Sequence, residues 1–142
     1  MEQLNIRHIT PIRVRYADTD QMGYVYNGNY FEYFEVGRCE LMRHYGLPYT
    51  ILEQMGYFLP LIEAQASYVA PALYDDLLSV EALLNYSYSP TLRFEYNIFR
   101  DKTTIARGYT VHTFLSKATR RPVKPPRVFI EALAAISEIT SI

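Results

Sequence analysis

The chain has no tryptophan, a single cysteine (Cys39) and three histidines, His8, His44 and His112, far apart from one another. One cysteine excludes an intrachain disulfide and fits a reducing, cytoplasmic setting. The scattered histidines match no zinc-type spacing, and no glycine-rich phosphate loop occurs among the six glycines. No metal or cofactor is therefore expected. Charge of either sign is not in excess: the net value is −1, which argues against a nucleic-acid partner. No apolar run reaches the roughly 20 residues of a membrane span. The opening MEQLNIRHIT lacks the apolar core of a secretory signal.

What the chain does have is apolar character and tyrosine. Hydrophobic residues make up 49%, and 14 residues are Tyr. That is enough for one real core in a single domain spanning residues 1–142. Tyrosine tolerates half-buried positions, so part of this set is expected at subunit contacts.

Periodicity supplies the elements. Residues 9–16 read as a strand. Residues 17–27 form a loop. Tyr30, Phe31, Phe34, Gly37, Leu41 and Tyr45 recur at helical spacing and predict a helix over 28–45, about 27 Å long. Gly46 before Leu47-Pro48 ends it, and a short helical turn is expected at 49–55. Apolar and polar residues then alternate with period two over 57–70, 76–88, 91–100 and 103–116. The turns between them are short, so these strands should be antiparallel. A basic, proline-rich loop at 118–126 leads to a C-terminal helix at 127–140. One long helix against an antiparallel sheet is an α+β layer architecture.

The loop at 17–27 carries the chemistry. Asp20 precedes the predicted helix start at Asn27 and Gly28. A helix N-terminus offers unpaired N–H groups and a partial positive charge. An oxygen gaining negative charge could be held there while the carboxylate acts on the adjoining carbon. The plain alternatives are an Asp that caps its own turn and an Asn that caps the helix. Asp18 should point away from Asp20 and stabilise the turn. Gly23 suggests a positive φ or a close approach.

The element order and the segment RYADTDQMGYVYNGNYFEYFE resemble the hot-dog fold. More narrowly, they resemble 4-hydroxybenzoyl-CoA thioesterase-like acyl-CoA thioesterases, including the bacterial Tol–Pal-associated branch. Tyr16, Asp18, Asp20, Gly23, Val25, Tyr26 and Tyr30 match that family's opening motif, and the likeness runs over residues 10–126. The resemblance implies a long central helix wrapped by a curved antiparallel five-stranded sheet. It implies hydrolysis of an acyl-CoA thioester to a carboxylic acid and coenzyme A. Asp20 would be the nucleophile or general base, and the Asn27 N–H, with Gly28, the oxyanion hole. Many Tol–Pal-associated members carry His where this chain has Asn27, a departure that leaves the backbone N–H in place. Tyr16 and Tyr30 would line the acyl pocket, bond near Asp20 or simply pack. Ser87 and Ser89 lie at a turn that in relatives approaches the pantetheine arm. Lys117, Arg120, Arg121 and Lys124 suit coenzyme A phosphates; a solvated basic loop is their plain reading. Hot-dog protomers pair edge to edge, so a homodimer or homotetramer is implied. An acyl-carrier-protein thioesterase and a non-catalytic acyl-CoA-binding protein are the alternatives. A sensor of the latter kind usually adds a DNA-binding segment, for which the chain leaves no room.

Overall fold

A computed structural model describes residues 4–86 and 89–140. In chain order the elements are β1 (Leu4–Arg13), a 3₁₀ turn (Tyr16–Asp18), α1 (Asn29–His44), α2 (Tyr49–Gln54), β2 (Tyr57–Phe58), β3 (Leu61–Tyr68), β4 (Leu77–Tyr86), β5 (Thr91–Arg100), β6 (Thr103–Ser116), β7 (Pro122–Val123) and α3 (Arg127–Thr140). The five long strands form one antiparallel sheet in the order β1-β4-β5-β6-β3, and β2 and β7 add two-residue pairings to the far end of β6. This is the expected hot-dog arrangement. The strand expected at 57–70 breaks into β2 and β3 around Pro60, because proline cannot donate to a ladder.

The first strand differs from its expected bounds. It pairs with β4 from Leu4 to Arg13 and stops before Tyr16, which enters the 3₁₀ turn. Its ladder ends where Val14 exchanges backbone bonds with Asp75 and Asp76. Pro11 is tolerated within β1 because the strand is an edge and needs no second row of N–H donors.

Helix α1 lies across the sheet. Its buried stripe is Tyr30, Tyr33, Phe34, Gly37, Leu41 and Met42, facing Leu78, Val80, Ala82 and Leu84 of β4 and Phe94, Tyr96 and Ile98 of β5. Phe31, expected on this stripe, is 37% exposed, and Tyr33 takes the inward place. Phe34 stacks on Tyr96 with ring centroids 4.4 Å apart. Each fully buried large side chain of this set stabilises by roughly 1.5–3 kcal/mol. At Gly37 the helix backbone comes so close to Val80 that no side chain fits between.

A polar chain runs through this apolar interior. The Arg38 guanidinium donates to the Tyr96 hydroxyl at 3.1 Å, which lies 2.6 Å from Thr110 Oγ1. His112 bonds Thr110 Oγ1 through Nε2 and the Leu59 carbonyl through Nδ1. A carbonyl only accepts, so Nδ1 carries the proton and Nε2 accepts from Thr110. Burial, helped by the positive charge of Arg38, pushes the His112 pKa down to about 4. His112 is thus a neutral structural residue.

Candidate active site

The loop between β1 and α1 is held by Asp18. Its carboxylate accepts from the Arg15 backbone N–H and guanidinium, from Asn29 Nδ2 at 3.2 Å, and from the Tyr33 hydroxyl at 2.9 Å. It is 2% exposed. Burial alone would raise its pKa; the Arg15 and Tyr33 bonds outweigh that and hold it below the usual carboxylate range. Asp18 therefore rivets the loop to α1 and has no lone pair to spare for chemistry. Arg15 and Tyr33 were not singled out in the sequence, though Tyr33 falls three residues after Tyr30 on the same stripe.

Asp20 has the opposite environment. Its Oδ1 accepts from the backbone N–H of Met22 at 2.9 Å and Tyr24 at 3.3 Å, while Oδ2 has no partner among the described residues. The turn closes because Gly23 adopts φ +82°, cheap only for glycine, with its N–H donating to the Asp20 carbonyl. Asp20 is thus both a turn cap and a wall of an open cavity. That cavity, about 640 Å³, is lined also by Tyr16, Thr19, Gln21, Gly23 and Tyr74. Tyr16 is 78% exposed; its ring meets Tyr74 edge-on at 5.7 Å, and it makes no bond to Asp20.

Helix α1 begins with Gly28 in the N-cap place, without a side-chain cap. The Asn27 side chain therefore does not cap the helix. The Tyr26 carbonyl accepts from Asn29 N–H, and the Asn27 carbonyl accepts from Tyr30 N–H and from the Tyr68 hydroxyl at 3.1 Å. In a trans peptide the N–H points opposite to the C=O. Both carbonyls are turned toward the helix, so the N–H groups of Asn27 and Gly28 point away from it, and neither has a partner among the described residues. Asn27 lines a second cavity of about 250 Å³ with Tyr24, Val25, Tyr30, Tyr68, Val69, Ala70 and Pro71. Tyr24 touches both residues' surroundings: its N–H donates to Asp20 Oδ1 and it lines the Asn27 cavity. Tyr30 packs at the base, its ring 5.3 Å from Tyr68, and burial pushes its hydroxyl pKa up to about 12, so it stays protonated. Tyr68 is a third residue the sequence did not single out.

The residues read as coenzyme A contacts lie elsewhere in the protomer. The Asp20 loop is tied to the 69–76 segment through the Val25 N–H on the Ala72 carbonyl, and that segment in turn is tied to the start of β6 through Val69 and Ala70 N–H on the Ile105 carbonyl. Lys117, Arg120, Arg121 and Lys124 follow the other end of that strand, whose 14 residues span roughly 46 Å when extended. Lys117 and Arg120 sit over the Phe58 ring at 5.7 and 5.3 Å, Arg120 with φ +61°. The Arg121 backbone closes its turn through Ser116 and Thr119. Lys124 borders a cavity with Tyr86, Pro90, Pro125 and Ile130. Ser89 bonds Thr91 within its own turn, and Ser87 lies outside the described residues. Among the described residues no group of three or more His, Cys, Asp or Glu could hold a metal, and no helix is long and apolar enough to cross a membrane.

Comparison with known proteins gives one consistent family. Residues 14–133 match the model of the thioesterase-like superfamily. A putative esterase of Aquifex aeolicus is 33% identical over 85% of this chain and 93% of its own length. A putative acyl-CoA thioesterase of Bacillus subtilis is 31% identical over 83% of this chain and 86% of its own. The crystal structure of a DHNA-CoA thioesterase from Staphylococcus aureus superposes with a TM-score of 0.85 at 30% identity, covering 96% of this chain and 92% of that one.

Proposed function

Because the chain belongs to the thioesterase-like superfamily, we propose that it is an acyl-CoA thioesterase in which the loop before α1 supplies both halves of the chemistry. The observation that supports this reading is that one loop carries both a carboxylate oxygen of Asp20 and two N–H groups at the helix start without partners among the described residues, although Asp20 and Asn27 line separate cavities of the single chain. The thioester carbonyl oxygen sits on the Asn27 N–H, assisted by Gly28. In the base route Asp20 takes a proton from water, and the water oxygen bonds to the carbonyl carbon. The carbonyl electron pair moves to the oxygen held by the N–H groups. The C–S bond then breaks, and the thiolate recovers the proton. In the nucleophilic route Asp20 itself attacks and expels the thiolate, and water opens the resulting anhydride. A thiol leaves readily because its pKa is moderate, so neither route needs a histidine acid.

The active unit in this reading is a homodimer. Strand β3 is an outer strand of the sheet and is exposed on nearly every residue, including Leu61, Ile62 and Tyr68. Antiparallel pairing of two β3 strands sets the Phe58 end of one protomer beside the Tyr68 end of the other. The partner's Lys117 and Arg120 then arrive near this protomer's Asn27. That arrangement reconciles a phosphate-binding role for the basic loop with its distance from Asp20 within one chain.

The test is hydrolysis of a panel of acyl-CoA thioesters, with thiol release detected, beside Asp20→Asn. Turnover by the wild type and a loss of kcat of about 100-fold in the variant support the reading. Near-normal turnover in Asp20→Asn removes that residue from the mechanism. Cleavage of carrier-protein thioesters alone moves the substrate class to the acyl-carrier-protein alternative.

A further inference from the structure

Tyr68 stands on β3, 41 positions from the residue whose carbonyl it holds. Resting on the thioesterase reading above, we propose that Tyr68 is a positioning residue for the oxyanion hole: its hydroxyl pins and polarises the Asn27–Gly28 peptide so that the Gly28 N–H is presented to the substrate. Three observations support this. The Asn27 carbonyl has two donors, the Tyr30 N–H at 3.3 Å and the Tyr68 hydroxyl at 3.1 Å, and the second is the shorter. The Tyr30 bond belongs to a first helical turn with no side-chain cap, where helices fray. The Tyr68 bond comes from the sheet and ties that turn to a rigid element. The carbonyl and N–H share one peptide plane, so fixing the first fixes the direction of the second. A donor on the carbonyl also draws charge from the amide and makes its N–H a stronger donor. The hydroxyl is available for this bond because the Tyr68 ring is held against Tyr30. Among the described residues no donor reaches the other peptide, between Tyr26 and Asn27, from outside the loop; the one bond to its carbonyl there is from Asn29 N–H. The sheet therefore acts on Gly28 and not on Asn27.

Tyr68→Phe keeps the ring, the packing on Tyr30 and the cavity wall, and removes only the hydroxyl. Kinetics and the free enzyme's NMR spectrum are read together. The expected result is a fall in kcat of roughly tenfold, the scale of one lost hydrogen bond, with KM within about twofold of the wild type. The Gly28 amide proton resonance should move upfield, with the Gly37 and Gly108 amides unmoved. A variant with unchanged kcat overturns the positioning role, as does one in which only KM changes or in which the Gly28 amide does not move. Wild-type protein inert on every acyl-CoA and carrier-protein thioester overturns the thioesterase reading itself and this inference with it. The two failures are distinct, because the first occurs in a protein whose wild type turns over.

Discussion

Replacing Gly37 by alanine sets two known effects against each other. Alanine is the better helix former by about 1 kcal/mol at an interior position, and Gly37 lies in the middle of α1. A Cβ there would sit 2.7 Å from Val80 Cγ1 and 3.7 Å from the Ala82 Cβ. The second contact is ordinary; the first is about 1 Å inside a normal carbon–carbon separation. Val80 is fully buried and β-branched, so it does not swing aside without leaving its preferred rotamer. Overpacking of this kind costs about 1–3 kcal/mol. The clash therefore matches or outweighs the propensity gain, and Gly37→Ala should be destabilised by about 0–2 kcal/mol, about 1 at the middle of that range. Urea unfolding at fixed protomer concentration measures it, since assembly would otherwise shift the midpoint. Val80→Ala alone should cost about 2 kcal/mol for lost burial and a small cavity. Combined with Gly37→Ala it vacates the clashing position, so the double variant should recover at least ~0.5 kcal/mol relative to the sum of the two. A Gly37→Ala protein about 1 kcal/mol more stable than the wild type would refute the close approach. So would strict additivity.

Gly28 already has φ −65°, the angle of proline. Gly28→Pro should lose one oxyanion donor and, at some cost to the turn that the Asn29 N–H closes on the Tyr26 carbonyl, show kcat per folded enzyme reduced at least about 10-fold, whereas Gly28→Ala, which keeps the N–H, should stay within about threefold; one removed donor costs up to ~3–4 kcal/mol elsewhere. Equal kcat for the two variants would contradict this. Asn27→Ala should retain near-normal kcat, because the side chain caps nothing and the N–H remains; a loss above about 30-fold in thiol release would assign a role to the amide side chain. Acid should weaken the fold through His112. Above pH 6.5 it is neutral in both states; as pH falls from 6.5 to about 4 the unfolded chain binds the proton first. Stability should therefore drop by up to ~1.4 kcal/mol per pH unit and level off below the folded pKa, by about 3 kcal/mol in total. Urea midpoints of the wild type and His112→Gln across pH 4–7.5 check it, the variant being less stable at pH 7 but flatter over this window. Asp18→Asn should destabilise by about 2 kcal/mol at pH 7, because charged acceptors of several donors are worth more than neutral ones; an unchanged thermal midpoint would sink the rivet.

Most of the architecture could be read from periodicity, for a physical reason. Strands β4 and β5 each bury one face against α1, so strict alternation survives in Leu78-Val80-Ala82-Leu84 and Leu92-Phe94-Tyr96-Ile98. Strand β3 alternates just as well in sequence yet is exposed on both faces. In the proposed dimer that alternation would be matched by burial against a second copy of β3. The strand expected at 9–16 overruns β1 because Ile12, Val14 and Tyr16 keep an alternating rhythm into the 3₁₀ turn, although the ladder ends at Arg13 and the Val14 N–H bonds Asp76 beyond it. Asp18 and Asp20 looked alike by type. What separates them is long range: Tyr33 and Asn29 reach Asp18 from α1, and no local spacing announces that. The Tyr68 bond to Asn27 is equally invisible, joining two segments that only the folded sheet brings together.

The two borders of the sheet are unequal. Along β1, Pro11 interrupts the row of amide donors and Arg7 and Arg13 keep cations at the rim. Along β3 there is no proline, and Glu63 is the lone charge. In the proposed dimer paired through β3, only the blunted β1 borders would face outward, and growth would halt there. A substitution such as Pro11→Val would remove that terminator, and with it the barrier between a finite particle and an endless ribbon.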